Sequence, residues 1–239
     1  MKIDIVTIFP DMFGPVLDTG MLRVAREREL LDVSTHDLRD STEDRHRQVD
    51  DEPYGGGPGM VMKAEPFWQA LRALVGETPY LLPKGTRTVL LSARGTPLKQ
   101  KVVEGLAEAE RLVLLCGRYE GVDARVSEFV TDEISIGDYI ISGGEIGAMV
   151  IVDAVGRLLS GVLGAKESLE EESFSDGRLE YPQYTRPSLW RGLGVPYVLT
   201  SGDHRRVREW RAREAGFSTL VRRPDLDDVT GKDEGELPD

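Results

Sequence analysis

Cysteine and histidine are scarce in this chain. Among 239 residues there is one cysteine, Cys116, and three histidines, His36, His46 and His204. A single thiol cannot close an internal disulfide, and one thiol with three scattered imidazoles does not assemble a Cys/His zinc cluster. Long apolar runs are missing too. The most apolar long segment, 147–165, carries Asp153 and Arg157 in its middle, which a membrane-spanning helix tolerates poorly, so it reads as a buried core helix. The N-terminal MKIDIVTIFP lacks the basic start and extended apolar stretch of a signal peptide, and a cytoplasmic location is expected. No glycine loop ends in Gly-Lys-Ser/Thr, and neither YGGGPGM nor SGGEIG has G-x-G-x-x-G spacing behind a strand. That excludes a written P-loop or Rossmann site and removes most support for NTP-driven chemistry. The triplet Asp18-Thr19-Gly20 matches aspartic proteases, but three residues between two helical patterns arise by chance.

What is present describes a globular chain: 40% hydrophobic and 30% charged residues, at a length sufficient for two unequal domains. Thirty basic against 42 acidic side chains leave a net charge of −12, which taken as an average disfavours a nucleic-acid partner. The charge is segregated, however. Residues 178–224 hold ten arginines, one histidine and four acids, whereas 225–239 hold seven acids and one lysine.

Runs rich in Val, Ile and Leu recur at Ile3–Phe9, Thr88–Leu91, Arg111–Cys116 and Glu133–Ile136, each followed by a helical pattern. This alternation predicts an α/β fold with an open, mostly parallel sheet and flanking helices. AEPFWQALRALVG and PLKQKVVEGLAEAE read as helices, the second opened by Pro97, and GGEIGAMVIVDAVGRLL is apolar nearly all round and therefore central. Residues 39–62 form an aperiodic loop of unusual length, as functional loops do. An acidic, serine-rich composition break, KESLEEESFSDGRLE, places a flexible interdomain linker at 166–180 between a domain at 1–165 and a small, mainly helical one at 181–239. In the latter, SGDHRRVREWRAREAGF predicts a helix begun by Ser201 or Asp203 and stopped by Gly216, with Val207 and Trp210 on one face.

Three loops follow predicted strands: SARGTP (92–97), CGRYEGVD (116–123) and SIGDYIISGGE (135–145). Ligands of open α/β sheets bind outside the carboxyl ends of the strands. Glycine lets backbone N–H and C=O groups approach a ligand closely, which suits an adenine or ribose edge. Without a helix-opening lysine, a neutral or cationic ligand is favoured over a polyphosphate.

Together, DDEPYGGGPGM, LCGRYEGVD, SIGDYIISGGE and YTRP resemble the bacterial tRNA (guanine-N1)-methyltransferases of the TrmD type, within the SPOUT superfamily. The likeness runs from IVTIFPDMF to RRPDL, nearly the whole chain. It implies a homodimer with its active site at the interface, an N-terminal domain tied in a trefoil knot, and S-adenosylmethionine as methyl donor. It implies transfer to N1 of guanosine 37, 3′ of the tRNA anticodon. Carried over by position, the donor contacts are Leu90, Leu91, Ser92, Gly117, Tyr119, Glu120, Gly121, Ile136, Gly137, Tyr139, Ile141, Gly143 and Gly144. The family's prolines at two further positions are replaced here by Ala93 and Gly147.

The family's general base, an aspartate in an E-D-S-F motif, corresponds to Glu172 in Glu171-Glu172-Ser173-Phe174, with Glu171 and Asp176 as nearby alternatives. Arg157 matches the arginine that faces the guanine, and Pro58 and Gly59 lie in the loop bordering the target base. A magnesium ion is also implied, with no protein ligand assigned to it. For tRNA binding the candidates are Tyr184, Arg186, Trp190, Arg205 and Arg208, while Trp210 is expected in the core. Two other readings stand beside this one: a related knotted methyltransferase with another RNA target, and a catalytically silent RNA-binding paralogue.

Overall fold

A computed structural model describes residues 1–76, 78–162 and 172–226. The chain divides into two compact units, Met1–Gly164 and Ala165–Asp239. The first is built on a five-stranded sheet of β1 (Lys2–Thr7), β2 (Asp32–Asp37), β5 (Thr86–Pro97), β6 (Arg111–Cys116) and β7 (Asp132–Ser135). Their order across the sheet is β2-β1-β6-β5-β7 and every pairing is parallel. A two-residue pair, β3 (Asp50–Asp51) with β4 (Val61–Met62), closes the base of the long loop. The helices are α1 (Gly14–Leu17), α2 (Gly20–Glu27), α3 (Ala64–Val75), α4 (Gln100–Ala107) and α5 (Glu145–Gly156).

The period-2 alternation of side chains explains the layering. Ile3 and Ile5 of β1, Leu112, Leu114 and Cys116 of β6, and Val89 and Leu91 of β5 meet α2, α4 and α5 on one face. The intervening Val6, Leu90, Val113 and Leu115 meet Phe67 and Leu71 of α3 and Val126 and Phe129 on the other. With both faces covered, the strands need near-continuous apolar sequence, and they have it.

The structure departs from the sequence expectations in physical detail. β2, DVSTHD, was not anticipated, because an edge strand with one polar face carries no apolar run. β6 is followed by a loop and a 3-10 turn at Ala124–Phe129, where a helix was expected. Pro97 does not open α4; it ends β5, which continues past a break. There Leu91 and Thr96 both stand opposite Ile134, so Ser92–Gly95 bulges out of the sheet. A Cβ on Gly95 would overlap the backbone of Glu133 and Ile134. The bulge therefore requires glycine at that point.

Asp4 is fully buried in β1. Arg111 neutralises it through Nε and Nη2 at 2.8 Å, and His36 reaches it at 2.8 Å. Arg111 also donates to the Leu74 carbonyl at 2.6 Å, so one carboxylate ties β1, β2, β6 and the end of α3.

In the second unit, residues 172–180 form a compact turn. Glu180 N–H donates to Ser173 Oγ at 3.0 Å, and Leu179 N–H to Thr219 Oγ1 at 2.9 Å. A hairpin of β8 (Leu189–Trp190) and β9 (Leu193–Gly194) precedes α6 (Tyr197–Thr200) and α7 (His204–Arg222). Asp203 caps α7, accepting from the Arg205 and Arg206 amides at 3.1 Å. α7 runs through Gly216 to Arg222, beyond the expected stop. Glycine inside a helix costs about 1 kcal/mol, and the burial of Trp210 and Thr219 on this helix offsets it. Trp210 is in the core as expected, beside Tyr184 with ring centroids 6.2 Å apart. Among the described residues no helix is long and apolar enough to cross a membrane.

Asp4→Ala strands Arg111 without its buried counter-charge, and breaking such a pair costs on the order of 3 kcal/mol. Urea unfolding should show that loss; an unchanged midpoint would remove Asp4 from the account of sheet stability.

Candidate methyl-donor cleft and arginine-rich unit

At the C-terminal ends of β5, β6 and β7 the following loops enclose a cleft of about 560 Å³. Every position carried over for the methyl donor lines it, from Leu90–Ser92 through Gly117–Gly121 to Ile136–Gly144, with Ala93 and Gly147 at its wall. A volume in this range suits a drug-sized ligand.

Glycine is needed here for specific reasons. A Cβ on Gly144 would lie 2.9 Å from both Cys116 Cα and Leu91 Cβ, where neither atom can yield. Gly137 adopts φ 149, with the Tyr139 ring packed where its side chain would stand. Tyr139 O–H donates to the Ile136 carbonyl at 3.2 Å, closing the loop on itself.

The loops are joined through their backbones. Gly144 N–H donates to the Gly117 carbonyl at 2.8 Å, and Arg118 and Gly143 form an isolated bridge. On the other side, Glu120 N–H donates to Met60 O at 3.0 Å and Met62 N–H to Gly121 O at 2.9 Å. These bonds hold residues 117–121 between two neighbours and keep Tyr119 at φ 61. They also bring the long loop to the cleft: a Cβ on Gly59 would meet the Glu120 side chain within 2.5 Å. Gly59 thus sits against the cleft, while Pro58 is exposed in the same loop.

Beneath the loops lies charge that the sequence did not single out. Glu145, the first residue of α5, is fully buried and accepts from Thr7 Oγ1 at 2.8 Å and from Arg118 Nε at 3.1 Å. Both residues fall inside quoted motifs, but they stand 27 apart, and spacing alone does not pair them. Burial pushes the Cys116 thiol well up; the neighbouring Glu145 adds to this and Arg118 opposes it. A thiol so held is no nucleophile.

Arg157 caps the C-terminal end of α5, its N–H donating to the Asp153 carbonyl at 3.1 Å. It is outside the set that lines the cleft, although α5 connects it rigidly to Gly143 and Gly144.

The second unit carries the remaining candidates. Glu172 and Asp176 line a cavity of about 230 Å³ together with Glu180, Tyr181, Arg208 and Arg211. The Arg211 guanidinium lies 4.5 Å from the Tyr181 ring centroid. Tyr184 and Arg186 are exposed, and Arg205 lies on the first turn of α7 with Nη1 3.9 Å from Glu209. Trp190 is exposed in the hairpin, with Arg191 5.1 Å from its ring centroid. Residues 166–171 of the expected linker, Glu171 included, lie outside the described residues, as does most of the acidic tail. Among the described residues no group of three or more His, Cys, Asp or Glu side chains could hold a metal ion.

Comparison with known proteins agrees with this layout. The family described as tRNA (Guanine-1)-methyltransferase TrmD matches residues 1–228. A tRNA (guanine-N(1)-)-methyltransferase of Dictyoglomus turgidum is 52% identical, the match covering 99% of this chain and 94% of the relative. Proteins of the same description from Heliobacterium modesticaldum and Geobacillus kaustophilus are 51% and 50% identical, over 95% of this chain and 84% and 91% of theirs. With a cleft built from the family's loops and likeness over nearly its full length, the chain belongs to the tRNA (guanine-1)-methyltransferase TrmD family.

Proposed function

We propose that the protein transfers a methyl group from S-adenosylmethionine to N1 of guanosine 37 in tRNA. The observation that carries this reading is the convergence of three strand-end loops on one cleft, lined by every position at which the family contacts its methyl donor. Close backbone at Gly117, Gly143 and Gly144 suits the edges of an adenosine, and the Glu120 carboxylate offers the sulfonium a counter-charge. Guanine-N1 names among relatives at about half identity favour this target over the ribose or silent-paralogue readings.

Methyl transfer is an in-line displacement, so nucleophile, methyl carbon and sulfur must be aligned. A bent donor held by the three loops supplies the alignment from one side. The guanine N1 proton must leave, and Glu172 is assigned as the general base that accepts it. Arg157 is assigned to guanine O6, where a cation stabilises negative charge spreading from N1. The twelve residues of α5, about 18 Å of helix, separate Arg157 from the donor-loop glycines of its own chain, so in the proposed homodimer one copy holds the donor and the other supplies the arginine. Pro58 and Gly59 border the target base.

The wider architecture belongs to the same proposal: a trefoil knot formed by the cleft loops, a linker at 166–180, a tRNA-binding domain at 181–239 and a cytoplasmic location. Support for the knot is membership of the family. Support for a homodimer is an apolar stripe beside the cleft, where Ile140 is 85%, Ile146 48% and Val150 41% exposed. A second copy of the same surface would cover it and bring a second chain to the cleft. Tyr184, Arg186, Arg205 and Arg208 are assigned to tRNA, where guanidinium groups follow phosphates and planar groups stack on unpaired bases.

Incubation with labelled S-adenosylmethionine and unmodified tRNA should give N1-methylguanosine beside the anticodon, read by nuclease mapping of the product. Label elsewhere, or none, overturns the assignment. Glu172→Gln should lower single-turnover transfer by about 100-fold or more while donor affinity is retained; full activity in that variant would shift the role to Asp176 or Glu171. Gly144→Ala overpacks the wall against Cys116 and Leu91, a cost of about 1–3 kcal/mol. If that cost falls on donor binding, calorimetry reads an affinity about 5- to 150-fold weaker, and unchanged affinity would remove Gly144 from the donor site.

A further inference from the structure

Glu145 has no exposed surface, although it carries a charge at the first turn of a helix whose other residues are mostly apolar. A buried carboxylate persists only with partners, and this one has two. Thr7 Oγ1 donates to it at 2.8 Å from the end of β1, and Arg118 Nε at 3.1 and 3.2 Å from the loop after β6. The Arg118 guanidinium continues over the Phe9 ring, 4.3 Å from its centroid, with Nη2 3.6 Å from Met12 Sδ. Thr7 Oγ1 in turn accepts from the Phe9 amide at 3.0 Å. The two charges lie directly under Gly143, whose Cβ would stand 2.5 Å from Glu145 Oε2 and 2.6 Å from Arg118 Cγ. The same loops meet above the pair, through the Arg118–Gly143 bridge and the Gly144–Gly117 hydrogen bond.

We propose that Arg118 and Glu145 are positioning residues: their ion pair, seated on Thr7 and Phe9, sets the spacing between the 117–121 and 141–144 walls of the methyl-donor cleft. Glu145 is outside the set that lines the cleft, and Arg118, which is in it, acts here through Glu145. An apolar pair of similar volume would fill this space without the desolvation that two buried charges incur. What it would lack is direction, since the Arg118 Nε–H, shared between the two Glu145 oxygens at 3.2 and 3.1 Å, makes a charge-assisted hydrogen bond that fixes angle as well as distance. Gly143 rests on the pair, so its backbone, and that of Gly144 beside it, is placed by where the two charges meet. The inference rests on reading the cleft as the donor site.

The test uses the full-length protein and three readouts: affinity for S-adenosylmethionine by calorimetry, affinity for tRNA, and the urea midpoint, the first two at a temperature well below unfolding. Glu145→Gln and Arg118→Gln should each weaken donor binding by about tenfold or more, with tRNA affinity unchanged. Arg118→Gln combined with Glu145→Gln leaves no uncompensated charge and should recover part of the donor affinity, giving a non-additive cycle. A purely stabilising pair would lower the urea midpoint and leave donor affinity of the folded protein at its wild-type value; that result overturns the inference. Should Glu145→Gln fail to fold, Thr7→Val removes only one partner of Glu145 and should weaken donor binding by a smaller factor, and wild-type affinity in it overturns the inference equally. Wild-type protein that binds no S-adenosylmethionine defeats the reading of the cleft as well, whereas equal binding by wild type and variants defeats the positioning role alone.

Discussion

Burial of β1, β6 and β5 on both faces is the constraint from which the rest of the first unit follows. Strands sealed on both sides must pair on both edges and end where the chain can leave the sheet, because backbone polar groups inside the layers have no water to meet them. Their parallel order sends β5, β6 and β7 out at one end. The loops that emerge there are adjacent by necessity, and the cleft is the space between them.

Within that space, steric exclusion and buried charge divide the labour. Gly95 lets Ser92–Gly95 bulge away from β7, and Gly144 packs against Cys116 and Leu91, so the chain passes where no side chain fits. Two buried carboxylates then fix strands and loops to one another from opposite regions of the sheet. Asp4 gathers β2, β1, β6 and the end of α3; Glu145 gathers the end of β1, the loop after β6 and the start of α5. Each is satisfied by a guanidinium from β6 or the residue pair following it, Arg111 and Arg118. β6 and the loop that follows it thus carry the cations for both carboxylates.

The second unit works on a different economy of surface. Its largest helix, α7, keeps Trp210 and Thr219 inside and places arginines around the rest. The 172–180 turn folds on this unit through Thr219, so Glu172 lies in a cavity shared with Arg208 and Arg211. The carboxylate proposed as the base and one cation proposed for tRNA, Arg208, line the same cavity.

The α/β class, the central helix 145–156 and the three glycine-bearing loops were legible in the sequence, because apolar periodicity and glycine placement are local properties. The resemblance in four ordered motifs carried the family, and each donor position it implied falls on the one cleft. Other features escaped for reasons equally physical. DVSTHD hides as a strand since its edge position demands little apolar character, and Gly216 does not stop α7 since tertiary burial outweighs local propensity. Sequence alone determined four of the five sheet strands, the long helices and the glycine-bearing loops, and so which loops could hold a ligand. Only the tertiary structure decided that Arg118 meets Glu145 and Arg111 meets Asp4, because partners 27 and 107 residues apart are selected by sheet order and burial, which spacing along the chain does not encode.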